Sequence, residues 1–137
     1  GGFFAARTGP DDTSIHVAGA TEPYIADALN STERGQSKAL GGRGALRVIA
    51  TFRDAEGMLC REFEHDRSDG SAIVAVACRQ KEAWQIRIAV AASRAGEDFA
   101  PASSLEAIEA YMSATGAGPA LSPAEEETAL KNLRQSH

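Results

Sequence analysis

Ala45 to Ala92 reads ALRVIATFRDAEGMLCREFEHDRSDGSAIVAVACRQKEAWQIRIAVAA. Runs rich in β-branched and apolar residues alternate with turn signals, which predicts four short strands. Asp54-Ala55-Glu56-Gly57 and Ser68-Asp69-Gly70 each place a glycine where a hairpin needs positive φ. Gln80 to Ala83 is a weaker turn, inferred because the pattern resumes at Trp84. The fold expected is α+β: a four-stranded antiparallel meander over 45–92, with helices packed on at least one face.

Within this block the first strand alternates Leu46, Val48, Ala50 and Phe52 against Ala45, Arg47, Ile49 and Thr51. Ile73 to Cys78 is apolar on both faces, as a strand buried on both sides must be. The second and third strands are expected at the centre, the first and fourth at the edges. Trp84, Ile86, Ile88 and Val90 are read as one apolar face of the last strand, with Trp84 as a core anchor. Glu62 and Glu64 share a face, and cross-strand pairing with Arg79 and Arg87 accounts for these charges.

Cys60 and Cys78 fall on the second and third strands, directly opposed if the hairpin is centred near Asp69. Opposed Cβ atoms lie about 4.5 to 5.5 Å apart, slightly wide of the mean disulfide spacing of about 3.8 Å. A bridge with local adjustment fits, and so do two buried reduced thiols. Metal binding fits worse, because no histidine or second cysteine pair supplies tetrahedral spacing.

Outside the block, Thr21 is the expected N-cap of a helix to about Thr32, with Pro23 in its first turn and a stripe of Ile25, Ala28 and Leu29. The glycine-rich stretch 33–44 reads as a polar flexible loop. Its Gly41-Gly42-Arg43-Gly44 precedes a strand, whereas a phosphate cradle follows one and opens a helix. Ser103 and Glu106 have capping-box spacing, and Gly116 stops that second helix. Ser122-Pro123-Ala124-Glu125 starts a third. The acidic run Glu125-Glu126-Glu127 suits the positive end of its dipole better than a metal site. The stripe Ala129, Leu130 and Leu133 is thin, so this helix should pack lightly at the periphery.

The net charge of −5 argues against a nucleic-acid surface, which needs a basic face. His16, His65 and His137 are scattered, and His65 and Asp66, as strand neighbours, face opposite ways. With no nucleophile elbow or metal-ligand motif, the residues point to no catalytic, cofactor or metal site, and the chain is read as not an enzyme. The apolar opening Gly1-Gly2-Phe3-Phe4-Ala5-Ala6 cannot span a bilayer, which takes about 20 residues; it suits the outer end of a membrane helix or an ordinary frayed terminus.

Phe52 to Phe63, then Ala77-Cys78-Arg79, then Trp84-Gln85-Ile86 follow F-x-D-x-x-G-x-x-C-R-E-F, A-C-R and W-x-[IV]. This pattern resembles the C-terminal domain of the rickettsial-type outer-membrane surface antigen family. It is also similar to the extracytoplasmic domain of membrane-anchored anti-sigma factors of alphaproteobacteria. The second resemblance extends to Pro101-Ala102-Ser103-Ser104-Leu105 and the short acidic helix from Pro123 to Arg134, and it fits the ending and the apolar start better.

That resemblance implies a periplasmic sensor or interaction domain of a membrane-bound regulator, on the outer side of the inner membrane. Residues 1–20 would be an extended membrane-proximal arm and 21–137 one α+β domain, with C-terminal helices over 103–135. A transmembrane helix and a cytoplasmic segment that binds the sigma factor would precede Gly1, and a protein or envelope signal would be the partner. The oxidising compartment then favours a Cys60–Cys78 disulfide. An envelope-anchored surface-antigen-like structural protein is the alternative, and a small-molecule-binding domain a third.

Overall fold

The four strands foreseen in the sequence form the middle of a larger sheet in the computed structural model, which describes residues 19–91 and 102–135. They are β3 (Ala45–Arg53), β4 (Leu59–Asp66), β5 (Ala72–Gln80) and β6 (Ala83–Ala91), antiparallel and in meander order. A three-residue strand, β2 (Ser37–Ala39), pairs with β3, and the two-residue β1 (Gly19–Ala20) pairs with β6. The open sheet therefore runs β1-β6-β5-β4-β3-β2. The expected count of four is corrected, and so are the expected edges, since β3 and β6 each gain a neighbour. The flexible loop expected over 33–44 is likewise corrected: it holds β2 and a 3-10 turn, Gly41–Arg43. Most of the expected N-terminal arm lies outside the described residues.

The turns explain the registers. Asp54 Oδ1 accepts the amides of Glu56 and Met58, both at 2.9 Å, while Gly57 takes φ 81°. Asp69 Oδ1 accepts from the Ser71 amide at 2.9 Å and hydroxyl at 2.6 Å beside Gly70 at φ 92°. Asx turns of this kind replace a backbone partner with a side-chain one. The third hairpin is a two-residue turn in which Lys81 sits at φ 59°, a position that favours glycine. That choice of residue is why its sequence signal was weak.

Helices cover both faces. α1 (Pro23–Ser31) and α3 (Pro123–Gln135) lie on one, with Ile25, Leu29, Leu46, Val48, Phe63, Trp84 and Ala129 in a common core. α2 (Ala102–Ala114) lies on the other, where Ile108 packs with Phe52, Val74, Val76, Ile88 and Val90. β5 serves both cores, as its two-sided apolar pattern requires.

Two strands change allegiance partway along. The β3–β4 register shifts between Val48 and Ala50, and the β5–β6 register shifts between Val76 and Ala77 as Ile86 and Ile88 pair with consecutive β5 residues. Each bulge adds one residue, at Ile49 and Arg87, and so reverses which face later side chains meet. Trp84 and Ile86 consequently pack towards α1, but Ile88 and Val90 towards α2. Leu46 and Val48 likewise part company with Phe52. The single apolar faces read from strict alternation are corrected at both strands.

α1 starts at Pro23 with Glu22, not Thr21, in the N-cap position. α2 ends in a Schellman arrangement: Gly116 has φ 72°, its amide donates to Ser113 O, and the Ala117 amide donates to Met112 O. The following chain crosses from one face to the other around the β3 edge. Gly118 N–H donates to Arg53 O at 2.9 Å and Leu121 N–H to Thr51 O at 2.7 Å. The reciprocal capping box then opens α3, with Glu125 N–H to Ser122 Oγ at 3.1 Å and Ser122 N–H to Glu125 Oε1 at 2.9 Å.

Candidate functional site: a buried disulfide, a sealed ion pair and an apolar-floored cleft

Cys60 and Cys78 are directly opposed in the β4–β5 register and joined by a disulfide with Cα atoms 3.9 Å apart. Both are fully buried on the α2 side, in the cluster with Phe52 and Ile88. The hairpin centred at Asp69 sets this pairing, because residues 60 and 78 are equidistant from it. Asp54 completes a group of three potential metal donors whose atoms lie within 4.8 Å. The sulfurs are bonded to each other and the carboxylate already accepts two amides, so the group has no thiolate to offer an ion.

On the opposite face of β4 the next residue, Arg61, is completely buried. Strand alternation places it between Leu59 and Phe63, so its guanidinium points into the α1–α3 core. Nε donates to Thr51 Oγ1 at 2.9 Å, Nη1 to Leu29 O at 2.6 Å and Nη2 to Glu126 Oε2 at 2.6 Å. Glu126 also accepts from the Thr51 hydroxyl at 2.7 Å and from the Arg34 amide through both oxygens. Burial pushes the Glu126 carboxyl up, but the hydrogen bonds from Thr51, Arg34 and Arg61 outweigh it and hold it below the usual range. Desolvation lowers the Arg61 guanidinium against the support of Glu126.

This network joins α1, β3, β4 and α3. The expectation that α3 packs lightly and that Glu126 only serves the helix dipole is corrected. A signal was present: Arg61 shares a parity with two large apolar residues. Nothing in the spacing named a partner 65 positions away.

The cross-strand pairs expected of Arg79 and Arg87 are also replaced. Glu64 meets Arg47 across the β3–β4 pair at 2.7 Å. Arg79 Nη1 and Trp84 Nε1 both donate to Asn30 Oδ1 at 2.8 Å, tying the end of α1 to the sheet. Arg87 Nη2, at its bulge, reaches Met58 Sδ at 3.3 Å. Glu62 lies under α2, where burial and the charge of Glu109 raise its carboxyl.

A cleft of about 470 Å³ opens on the α1 side, between the start of α1 and the tip of the β4–β5 hairpin. Its floor includes Ile25, Phe63, Ile73 and Ile86. The Arg43 guanidinium stands 4.5 Å from the centre of the Tyr24 ring, and His65 meets that ring edge-on with centroids 6.4 Å apart. His65 Nε2 lies 3.0 Å from Arg43 O, an acceptor, so this nitrogen carries a proton. Burial, then the neighbouring Glu22, raises the Tyr24 hydroxyl above its ordinary value. Sequence reading missed the cleft because its parts come from four separate segments.

Residues 27–85 match the family model of the 17 kDa outer membrane surface antigen. The match takes in the second half of α1, β2 to β5, the start of β6 and both bridged cysteines. The chain is thus similar to that family over its central part, and the surface-antigen resemblance is the one supported. No curated protein and no solved structure matches the chain. Among the described residues, no helix is long and apolar enough to cross a membrane.

Proposed function

We propose that this chain is a non-catalytic, disulfide-stapled domain of the cell envelope, related to the surface antigens and working by structural or binding contacts outside the cytosol. The carrying observation is that the family match over 27–85 includes both halves of the Cys60–Cys78 bridge. A bridge of this kind persists in oxidising compartments and is rare in the cytosol. The polar groups of the core support the non-catalytic part: Arg61, Thr51 and Glu126 are spent on one another and on helix ends.

The second reading is the periplasmic domain of a membrane-anchored anti-sigma regulator. The resemblance at Pro101–Leu105 and over Pro123–Arg134 favours it, and those residues lie beyond the matched stretch. Its transmembrane helix and sigma-binding segment would precede Gly1, and its partner would be a protein or envelope signal.

Fractionation of cells expressing the full-length protein tests both, with thiols trapped at lysis. Envelope recovery with both cysteines protected from alkylation supports the proposal, whereas a cytosolic protein with two reactive thiols overturns it. Co-purification of a sigma factor with the envelope-bound protein would move the assignment to the regulatory reading.

A further inference from the structure

We propose that the cleft between α1 and the β4–β5 hairpin binds a small amphipathic carboxylate, its apolar part on Ile73 and Ile86 and its charge against Arg43 and Arg67. The volume of about 470 Å³ falls inside the range of roughly 300 to 1,000 Å³ usual for small-molecule sites. Phe63 and Ile25 close the floor, while Ile73 and Ile86 are only partly buried and leave apolar surface for a ligand to cover.

The charge argument is local. The whole chain carries −5, whereas at this mouth Arg43 and Arg67 balance Glu22 and Asp69. Both carboxylates keep their charge but are turned to other donors, Asp69 to the amide and hydroxyl of Ser71 and Glu22 to the Tyr24 hydroxyl, which leaves the guanidinium forks without a paired carboxylate. Neither Arg43 nor Arg67 takes part in a salt bridge among the described residues. His65 holds the Arg43 backbone and Tyr24 lies beneath its guanidinium, so one fork is positioned before any ligand arrives. A guanidinium fork matches a carboxylate through two parallel hydrogen bonds. The apolar floor excludes a bare anion as the best ligand and calls for an alkyl or aryl body.

The test is an amide NMR titration of the whole purified chain with decanoate, beside acetate, decyl maltoside and decyl phosphate. Saturable decanoate binding is expected, with shifts concentrated at Tyr24, His65, Ile73 and Ile86 and none from acetate at equal concentration. Exposed Arg43 and Arg67 can be changed without loss of the fold. The double variant Arg43→Gln/Arg67→Gln should weaken decanoate by about tenfold or more, the worth of a charge-assisted hydrogen bond. Its affinity for decyl maltoside should not change. Shifts scattered over the surface, equal affinity for the neutral maltoside, or a double variant that binds decanoate as tightly would each overturn the proposal. Decyl phosphate bound in place of decanoate would overturn the carboxylate assignment.

Discussion

Arg61 Nη2 lies 2.6 Å from Glu126 Oε2, with the arginine side chain fully sealed and the glutamate 5% exposed. The pair links the centre of the sheet to the first turns of the last helix. Removing one partner leaves the other charged and dry. Glu126→Ala should therefore cost about 3 to 5 kcal/mol, whereas exposed Glu127→Ala should stay within about 0.5 kcal/mol. Chemical denaturation of the two variants measures the contrast, and equal midpoints would refute it.

The same pair sets an acid limit. Glu126 titrates below its unfolded value, so its stabilisation is complete above that value, about 4.3. It is lost as pH falls through the lower, folded value. Glu62 runs the opposite way: its carboxyl is raised, so ionisation opposes folding as pH rises through that folded value. Glu62→Gln should stabilise the protein at neutral pH by a few tenths of a kcal/mol or more, by removing a part-buried charge and its repulsion from Glu109. Thermal melts across pH 3 to 8, about the usual carboxylate range and above, should show the gain only at the upper end.

Reduction of Cys60–Cys78 opens a link between residues 18 apart. For a loop of that size the bridge contributes about 3 kcal/mol. Both sulfurs are buried, so a mild reductant should act only after partial unfolding. Thiol release that is fast in native buffer and insensitive to denaturant would contradict this.

Gly44 and Gly57 both hold positive φ, at 96° and 81°, but only one is crowded. A Cβ on Gly44 would overlap the carbonyl oxygen of Asp66, while one on Gly57 meets nothing within 4 Å. Gly57→Ala should cost about 1 to 2 kcal/mol, the strain of the left-handed region alone. Gly44→Ala should cost clearly more, because the strand-end backbone has to move. Similar melting temperatures for the two variants would remove the steric part of the argument.

Thr32 is buried at the end of α1, and its hydroxyl has no hydrogen-bond partner among the described residues. An unmade bond of this kind costs about 1 to 3 kcal/mol. The isosteric Thr32→Val should therefore raise stability, and a lower melting temperature would show that the hydroxyl is needed.

The central meander was legible because glycine and aspartate mark two of its turns, and the turn at Asp69 alone sets the cysteine register. Capping signals fixed α3 for the same local reason. The bulges at Ile49 and Arg87 were not legible: no glycine marks either, and uninterrupted alternation looks better on paper than the broken pattern the two cores require. β2 escaped notice because Ser37-Lys38-Ala39 carries no strand pattern and exists only by pairing with β3. The ion pair and the cleft depend on contacts between distant segments. Parity could show that Arg61 points inward, but not what it meets there.

The passage of residues 118–121 along β3 occupies the carbonyl oxygens of Thr51 and Arg53 on that flank of the sheet. Tension applied at the C-terminus would peel this seam together with α3. The uncovered rim would then be a template on which neighbouring copies could stack.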